Sequence, residues 1–252
     1  MFSKLVRNPA YKTITEALQQ AIATRALKPG DAFPTESDLA AQFGVNRSTV
    51  REGIRHLEAA GFVERQGKRL VVIRPSYDDL GDQVSRALLL HDVSFLELWE
   101  LTRALEPLAA ELAARRVPEE LKTRLSENLE ATRRASGERD RIVQLDVEFH
   151  QLIAEATGNR ALLVARQPFS LLFYPAFTTS MTPEQATDRL LVAHTKIFDA
   201  IIAGDHETAR EWMRKHIVDF RLGYEMAGLD INDPVEMVLA PPLSDGSGQT
   251  RE

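Results

Sequence analysis

Apolar residues recur along this chain at helical spacing almost throughout. Over residues 9–27, Ile14, Leu18, Ile22 and Ala26 return every four positions, which predicts an amphipathic helix that Pro29-Gly30 should end. A second helix is expected after Thr35, a cap residue with Asp38 three positions on. Leu39, Ala40 and Phe43 would form its apolar face and Gly44 its stop. Asn46 is the candidate cap of a third helix, buried through Val50, Ile54 and Leu57 and closed by Gly61. Two strands follow, Phe62–Gln66 and Arg69–Arg74, with Gly67-Lys68 suited to a type II′ turn. Beyond them only helical periodicity is found, in windows 79–91, 94–116, 118–136, 139–157, 159–179, 183–203 and 205–227. Gly137, Gly158-Asn159, Pro183 and Gly204-Asp205 punctuate these windows. Pro107 should kink the second of them.

The expected fold class is mainly α. A winged helix-turn-helix of three helices plus a β-hairpin, residues 1–74, is joined by a linker at 75–78 to an all-α bundle of six or seven helices at 79–227. Residues 228–252, ending in APPLSDGSGQTRE, read as a flexible tail, disordered or loosely docked.

Charge sharpens this division. The formal net charge is −6, yet residues 1–75 carry 12 Lys+Arg against 7 Asp+Glu and the remainder 19 against 30. A basic head on an acidic body suggests that the head meets a polyanion and the body does not. There is no cysteine, so a disulfide framework is excluded. No apolar run approaches the ~18 residues of a membrane span, and no leader pattern opens the chain. A cytoplasmic protein without a membrane partner is the expectation.

In a winged helix-turn-helix the second helix of the pair enters the major groove with its N-terminal end toward base edges. Here that end reads Asn46, Arg47, Ser48, Thr49 and Arg51, and the hairpin places Arg65, Gly67, Lys68 and Arg69 at a narrow basic tip. Short hydroxyls fit the groove wall, and Arg can take guanine O6 and N7 in a bidentate contact. The bland alternative is a capped helix with solvated arginines. The stretch PTESDLAAQFGVNRSTVREGIRHLEAAGFV closely resembles the DNA-binding domain of the GntR superfamily of bacterial transcription regulators, over about residues 10–74. That resemblance implies DNA contacts from Arg47, Ser48, Thr49 and Arg51, with Gly67 at the wing tip. Family members often carry Arg where this chain has Ser37, so one positive contact is expected to be missing.

In the body, His150, His194 and His216 each fall on an apolar helical face, and Asp146 lies one turn before His150. A single inward histidine is usually a hydrogen-bonded core residue. Three on three helices, with a carboxylate one turn from the first, can instead share a divalent metal inside the bundle. Imidazole and carboxylate suit zinc, nickel, manganese or iron(II), and the ligand set alone does not choose; zinc is the expectation. The Asp146/His150 pair, Gly158-Asn159, His194, the run ending at His216, and Arg103 in LTRALEPLAAELAARR also resemble the FCD domain of the FadR-like branch of the superfamily, over about residues 79–225. The resemblance implies a metal held by Asp146, His150, His194 and His216, with open positions, and a small carboxylate effector beside it. Arg103 would grip the effector, or else pair with Glu100 or Glu106 on its own helix. Asn159 would hydrogen-bond the effector or cap a helix. Phe169, Phe173, Tyr174 and Phe177 could shape a pocket, although an aromatic stripe is more often core.

The expected function is a ligand-responsive transcription regulator, a repressor in the commoner arrangement, acting as a homodimer on double-stranded operator DNA of pseudo-palindromic sequence. The alternative is a metal-dependent hydrolytic enzyme fused to a DNA-binding head. Against it, Glu148 and Glu155 lie off the Asp146/His150 face, so no general base stands beside the motif. A third reading is a metal that only stiffens the bundle.

Overall fold

The structure, a computed structural model, describes residues 9–235 except 68, 75, 181 and 182; side chains at 77, 78, 169–171, 174–180 and 183–187 also lie outside the described set. Lys68, Phe169, Tyr174 and Phe177 are therefore not located. The chain divides after Ser76 into two compact units.

The first unit contains α1 (Ala10–Ala23), α2 (Glu36–Phe43), α3 (Arg47–Ala59), β1 (Val63–Gln66) and β2 (Arg69–Val72). Its core joins Ile14, Leu18, Phe33, Leu39, Val50, Ile54, Leu57, Val63 and Val72. Helix α1 stops short of the expected residue 27 because Arg25 takes a left-handed conformation at φ +62°. Leu27 then packs on the core from a turn instead of a helix. Thr35 caps α2 by accepting from Asp38 N at 3.2 Å, and Gly44 ends the helix at φ +64°. Asn46 occupies the N-cap position of α3, but its side chain makes no capping hydrogen bond, contrary to expectation. The strands pair antiparallel from Val63↔Val72 to Gln66↔Arg69, with Gly67 at the positive φ (+63°) that a two-residue turn demands. The second strand ends two residues early, at Val72.

The second unit contains α4 (Tyr77–Leu90), α5 (Phe95–Arg116), α6 (Glu119–Arg134), α7 (Arg139–Ala156), α8 (Arg160–Ser180), α9 (Pro183–Ala203) and α10 (His206–Met226). Each lies within two residues of its predicted window. Helix α5 is the hub, packed against α7, α8, α9 and α10. Its first residue, Phe95, is fully buried and stacks on Tyr224 with ring centroids 3.9 Å apart. One turn on, Trp99 donates its indole N–H to the Ile217 carbonyl at 2.9 Å. The helix continues through Pro107, which has no N–H to offer the Arg103 carbonyl one turn back.

Part of the expected tail is docked. A helix start leaves its first backbone N–H groups without intrahelical partners. Here Ser94 and Glu97 form a capping box, while Phe95 N donates to Asp233 O (3.2 Å) and Leu96 N to Ile231 O (2.8 Å). Val235 N returns a bond to Val93 O at 2.9 Å. Residues 228–235 thus belong to the helical unit, and only 236–252 lie outside the described residues.

Both tryptophans, Trp99 and Trp212, sit in this unit, so their fluorescence reports on it alone. Phe95→Ala should destabilise it by about 3–5 kcal/mol, the usual cost of a large aromatic deleted from a core. Urea titration followed by tryptophan emission measures the loss, and a change below 1 kcal/mol would contradict the central place given to Phe95.

Candidate functional site

In the first unit the amphipathicity of α3 decides what faces outward. Val50, Ile54 and Leu57 are buried, while Asn46, Arg47, Ser48 and Arg51 are exposed and Thr49 half-buried. Arg51 is not a loose charge. Its Nε and Nη2 grip both oxygens of Glu36 on α2, the shortest contact being 2.6 Å. The arginine's hydrogen bond and charge hold the Glu36 carboxyl below its usual range. Nη1, at the end-on edge of the guanidinium, takes no part in that pair. Arg65 pairs with Glu58 at 3.3 Å, and Gly67 forms the exposed wing tip.

In the second unit Asp146 and His150 on α7, His194 on α9 and His216 on α10 converge on one buried point. One ligand atom from each lies within 4.8 Å of all the others. His150 Nε2 is 3.1 Å from His216 Nε2, His194 Nε2 is 3.4 Å from His216 Nε2, and His194 Nε2 is 3.2 Å from Asp146 Oδ1. His150 and His216 lie 3.9 and 3.8 Å from the same oxygen. Donors around one ion, with bonds of about 2.1 Å, sit roughly 3.0–3.4 Å apart. Three of these separations fall in that range and the two from His150 and His216 to Asp146 are wider, so the donor set could hold a divalent cation after a small inward shift. One further observation agrees. Asp146 Oδ1 is buried yet makes no well-formed hydrogen bond. The His194 ring stacks on Phe149 at 3.8 Å, and its other nitrogen, Nδ1, has no hydrogen bond.

The local field is uneven. Burial, followed by the neighbouring His194 and His150, pushes His216 down to about 3. Burial also lowers His194, against the pull of Asp146. For His150 burial acts the same way, but the charge and hydrogen bond of Glu106, with the charge of Asp146, outweigh it and raise the imidazole. Burial opposes ionisation of Asp146, yet the three histidines together keep it low. At neutral pH the pocket thus holds a carboxylate and two neutral imidazoles ready to donate lone pairs.

Several expected residues are elsewhere. Arg103 is exposed, with its Cζ 5.3 Å above the Trp99 ring, so it neither enters the cluster nor pairs with Glu100 or Glu106. Its long side chain leaves the inward stripe and lies over the outer face of Trp99. The side-chain Oδ1 of Asn159 accepts from Ala161 N (3.1 Å) and Leu162 N (3.2 Å), so it caps α8. Glu148 accepts from Asn128, and Glu155 pairs with Arg124, both away from the cluster. Phe173 is core, packed edge-on to Phe95. The groups beside the cluster that sequence reasoning missed are Glu106 and Arg166. Glu106 accepts from His150 Nδ1 at 2.9 Å and from Arg166 Nε at 3.0 Å, and both residues are almost fully buried. The usable signal was a carboxylate on the stripe Leu98, Thr102, Glu106, Ala110, whose other members all suit a core. Between α9 and α10 a cavity of about 540 Å³ reaches His216, flanked by Arg189, Arg214 and Lys215.

The shifts fix how acid acts on the metal-free protein. His216 (about 3 against an ordinary 6.5) and Glu106 (about 2 against 4.5) both take up protons more readily unfolded than folded. Their stabilisation is complete above the unfolded values and is lost as pH falls toward the folded ones. His150, being raised, works in the opposite sense between its own limits. Stability should fall from pH 6.5 to 3, His216 accounting for a ceiling of about 5 kcal/mol. His216→Gln should flatten this slope. Equal slopes of the urea midpoint against pH in the two proteins would contradict the account.

Comparisons with known proteins agree with both units. Residues 10–73 match the family described as bacterial regulatory proteins, gntR family, and residues 97–219 match the FCD domain. The chain is 29% identical over 220 residues, 84% of each chain, to the HTH-type transcriptional repressor NanR of Cronobacter sakazakii. It is 28% identical over 211 residues to an uncharacterized HTH-type transcriptional regulator, YdhC, of Bacillus subtilis, covering 82% of this chain and 88% of that one. The solved structure of a Streptococcus agalactiae GntR superposes with a TM-score of 0.59 at 28% identity, over 84% of this chain and 99% of that one. These relatives are regulators, not enzymes, and no helix among the described residues is long and apolar enough to cross a membrane. The chain belongs to the GntR family of bacterial transcription regulators, with an FCD domain following its DNA-binding head in the manner of the FadR-like branch.

Proposed function

We propose that this regulator is a homodimeric repressor whose helical unit holds a divalent metal, zinc foremost, and senses a small organic acid there. The observation that carries the reading is the convergence of three imidazole Nε2 atoms and one carboxylate oxygen on a buried point where that oxygen lacks a hydrogen bond. Asp146, His150, His194 and His216 would hold the metal, which would supply a Lewis-acidic attachment for the effector's carboxylate. The cavity at His216 offers a route of suitable size, and its three cations outnumber Asp188 and Asp219 on the same walls. With Arg103 on the outer surface, we assign effector recognition to the metal and this cavity.

On the DNA side, Arg47, Ser48, Thr49 and Arg51 would face the major groove with Asn46 beside them, while Arg65, Gly67 and Lys68 would approach the backbone from the wing. Glu36 sets the direction of Arg51, leaving its terminal edge for a guanine or phosphate. Two copies would read the two halves of a pseudo-palindrome. The NanR relatives are named repressors, which favours repression relieved by the effector. Linkage then requires DNA to weaken effector binding by the same factor as effector weakens DNA binding.

Two experiments test this reading. Arg51→Ala should weaken operator binding roughly ten- to a hundredfold without altering the helical unit. Arg47→Ala should lower the salt slope by about one unit. Anisotropy titrations at several salt concentrations decide, and unchanged binding in both variants would remove α3 from the interface. Separately, elemental analysis of the purified protein should find about one divalent ion per chain, and His194→Ala and His216→Ala should lose it while still binding operator. Full metal content in both variants would sink the ligand set. Full metal content with no carboxylate able to release operator would leave a purely structural ion.

A further inference from the structure

The three histidines of the cluster are supported by different means. His194 is stacked on Phe149 and has no hydrogen bond at Nδ1. His150 is backed by a carboxylate, and that carboxylate is backed in turn. Glu106 Oε2 lies 2.9 Å from His150 Nδ1, while its Oε1 accepts from Arg166 Nε at 3.0 Å. Arg166 Nη1 donates to Gln151 Oε1 at 2.8 Å, and Gln151 Nε2 donates to Glu155 Oε1 at 3.2 Å. Glu155 closes the line on Arg124 of α6 at 3.1 Å. The polar chain runs from the buried cluster on α7 through α5 and α8, back to α7 and out to the surface.

We infer that Glu106, oriented by Arg166, is a positioning residue that holds His150 as its Nδ1–H tautomer and so turns the Nε2 lone pair toward Asp146, His194 and His216. This rests on the metal reading proposed above. A carboxylate paired with a guanidinium offers only acceptors. Facing such a group, Nδ1 carries the proton, and Nε2 is left as the ligand atom. The ring cannot turn without abandoning a buried ionic partner, so orientation and tautomer are set together before any ion binds. Arg166 matters because it dictates which way a substituted amide would face. Arg166 Nε needs an acceptor, so the oxygen of a glutamine at position 106 would stay on Arg166. Its NH₂ would then meet His150 Nδ1, and the imidazole would switch to the Nε2–H tautomer, which has no lone pair for a metal.

The test uses full-length protein and zinc. Nitrogen-15 chemical shifts of the His150 ring in metal-free protein, at a pH where the imidazole is neutral, report the tautomer. Competition with a chromophoric chelator reports zinc affinity. Wild type should show Nδ1–H. Glu106→Gln should show Nε2–H and bind zinc ten- to a hundredfold more weakly. Glu106→Gln combined with Arg166→Met frees the amide to turn its oxygen to His150, so tautomer and affinity should both return toward wild type. A role confined to packing predicts the reverse, because the double variant loses more contacts. An Nε2–H ring in wild type overturns the inference whether or not the variants fold. So does a Glu106→Gln protein with unchanged tautomer, or a double variant that binds zinc no better than the single. Should wild type take up no zinc yet show the Nδ1–H ring and its switch, Glu106 keeps its role and the metal reading alone falls.

Discussion

A carboxylate withdrawn from water must be answered by charge, and much of the helical unit is arranged around that constraint. Asp146 and Glu106 are both buried on inward faces, within a few ångströms of one another through His150. An isolated buried carboxylate would cost several kcal/mol. Glu106 is answered by Arg166 and His150, which hold it ionised at about 2 although burial works against them. Asp146 is answered only by imidazoles, two of which are themselves driven neutral by burial. One site is electrostatically closed, and the other is short of positive charge. A divalent cation at the second would resolve the imbalance, because it would pair the carboxylate and accept the lone pairs that otherwise face one another.

That arrangement binds five helices. Helix α7 supplies Asp146 and His150, α9 and α10 supply one histidine each, α5 supplies Glu106 and α8 supplies Arg166. The apolar packing that surrounds them also runs through α5, whose Phe95 and Trp99 lock onto α10. An ion at the cluster would therefore be mechanically connected to the packing of the core, as the proposed sensing of a ligand would require. The docked segment 228–235 adds a brace over the start of α5, satisfying N–H groups that the helix itself cannot.

The head works by a different economy. Burial of one face of α3 leaves the other to water, and there the exposed pair of Arg51 and Glu36 contributes little to stability. In the proposed interface its effect would be directional: a flexible arginine tied at one edge presents the other in a narrow range of orientations, so less entropy would be lost on meeting a base or phosphate.

Element order and bounds were legible in the sequence because helical burial has a period that survives in the residue pattern. All seven helices of the second unit fall within two residues of their windows for that reason. The convergence of Asp146, His150, His194 and His216 was legible too, since short polar side chains on apolar faces point into a core. What the pattern could not decide was the fate of long or bifunctional side chains. Arg103 shares a stripe with Trp99 and Glu106, yet its reach lets it lie over the indole toward solvent. Asn159 can bind a ligand or cap a helix, and the nearby N–H groups of Ala161 and Leu162 took its oxygen. Residues 228–235 carry no periodicity, and their docking depends on orphan donors more than a hundred residues away. Periodicity records which face of an element is buried. Which partner a buried charge finds there depends on the meeting of helices distant in sequence, and for Glu106 that meeting brought Arg166, a choice only the tertiary structure could make.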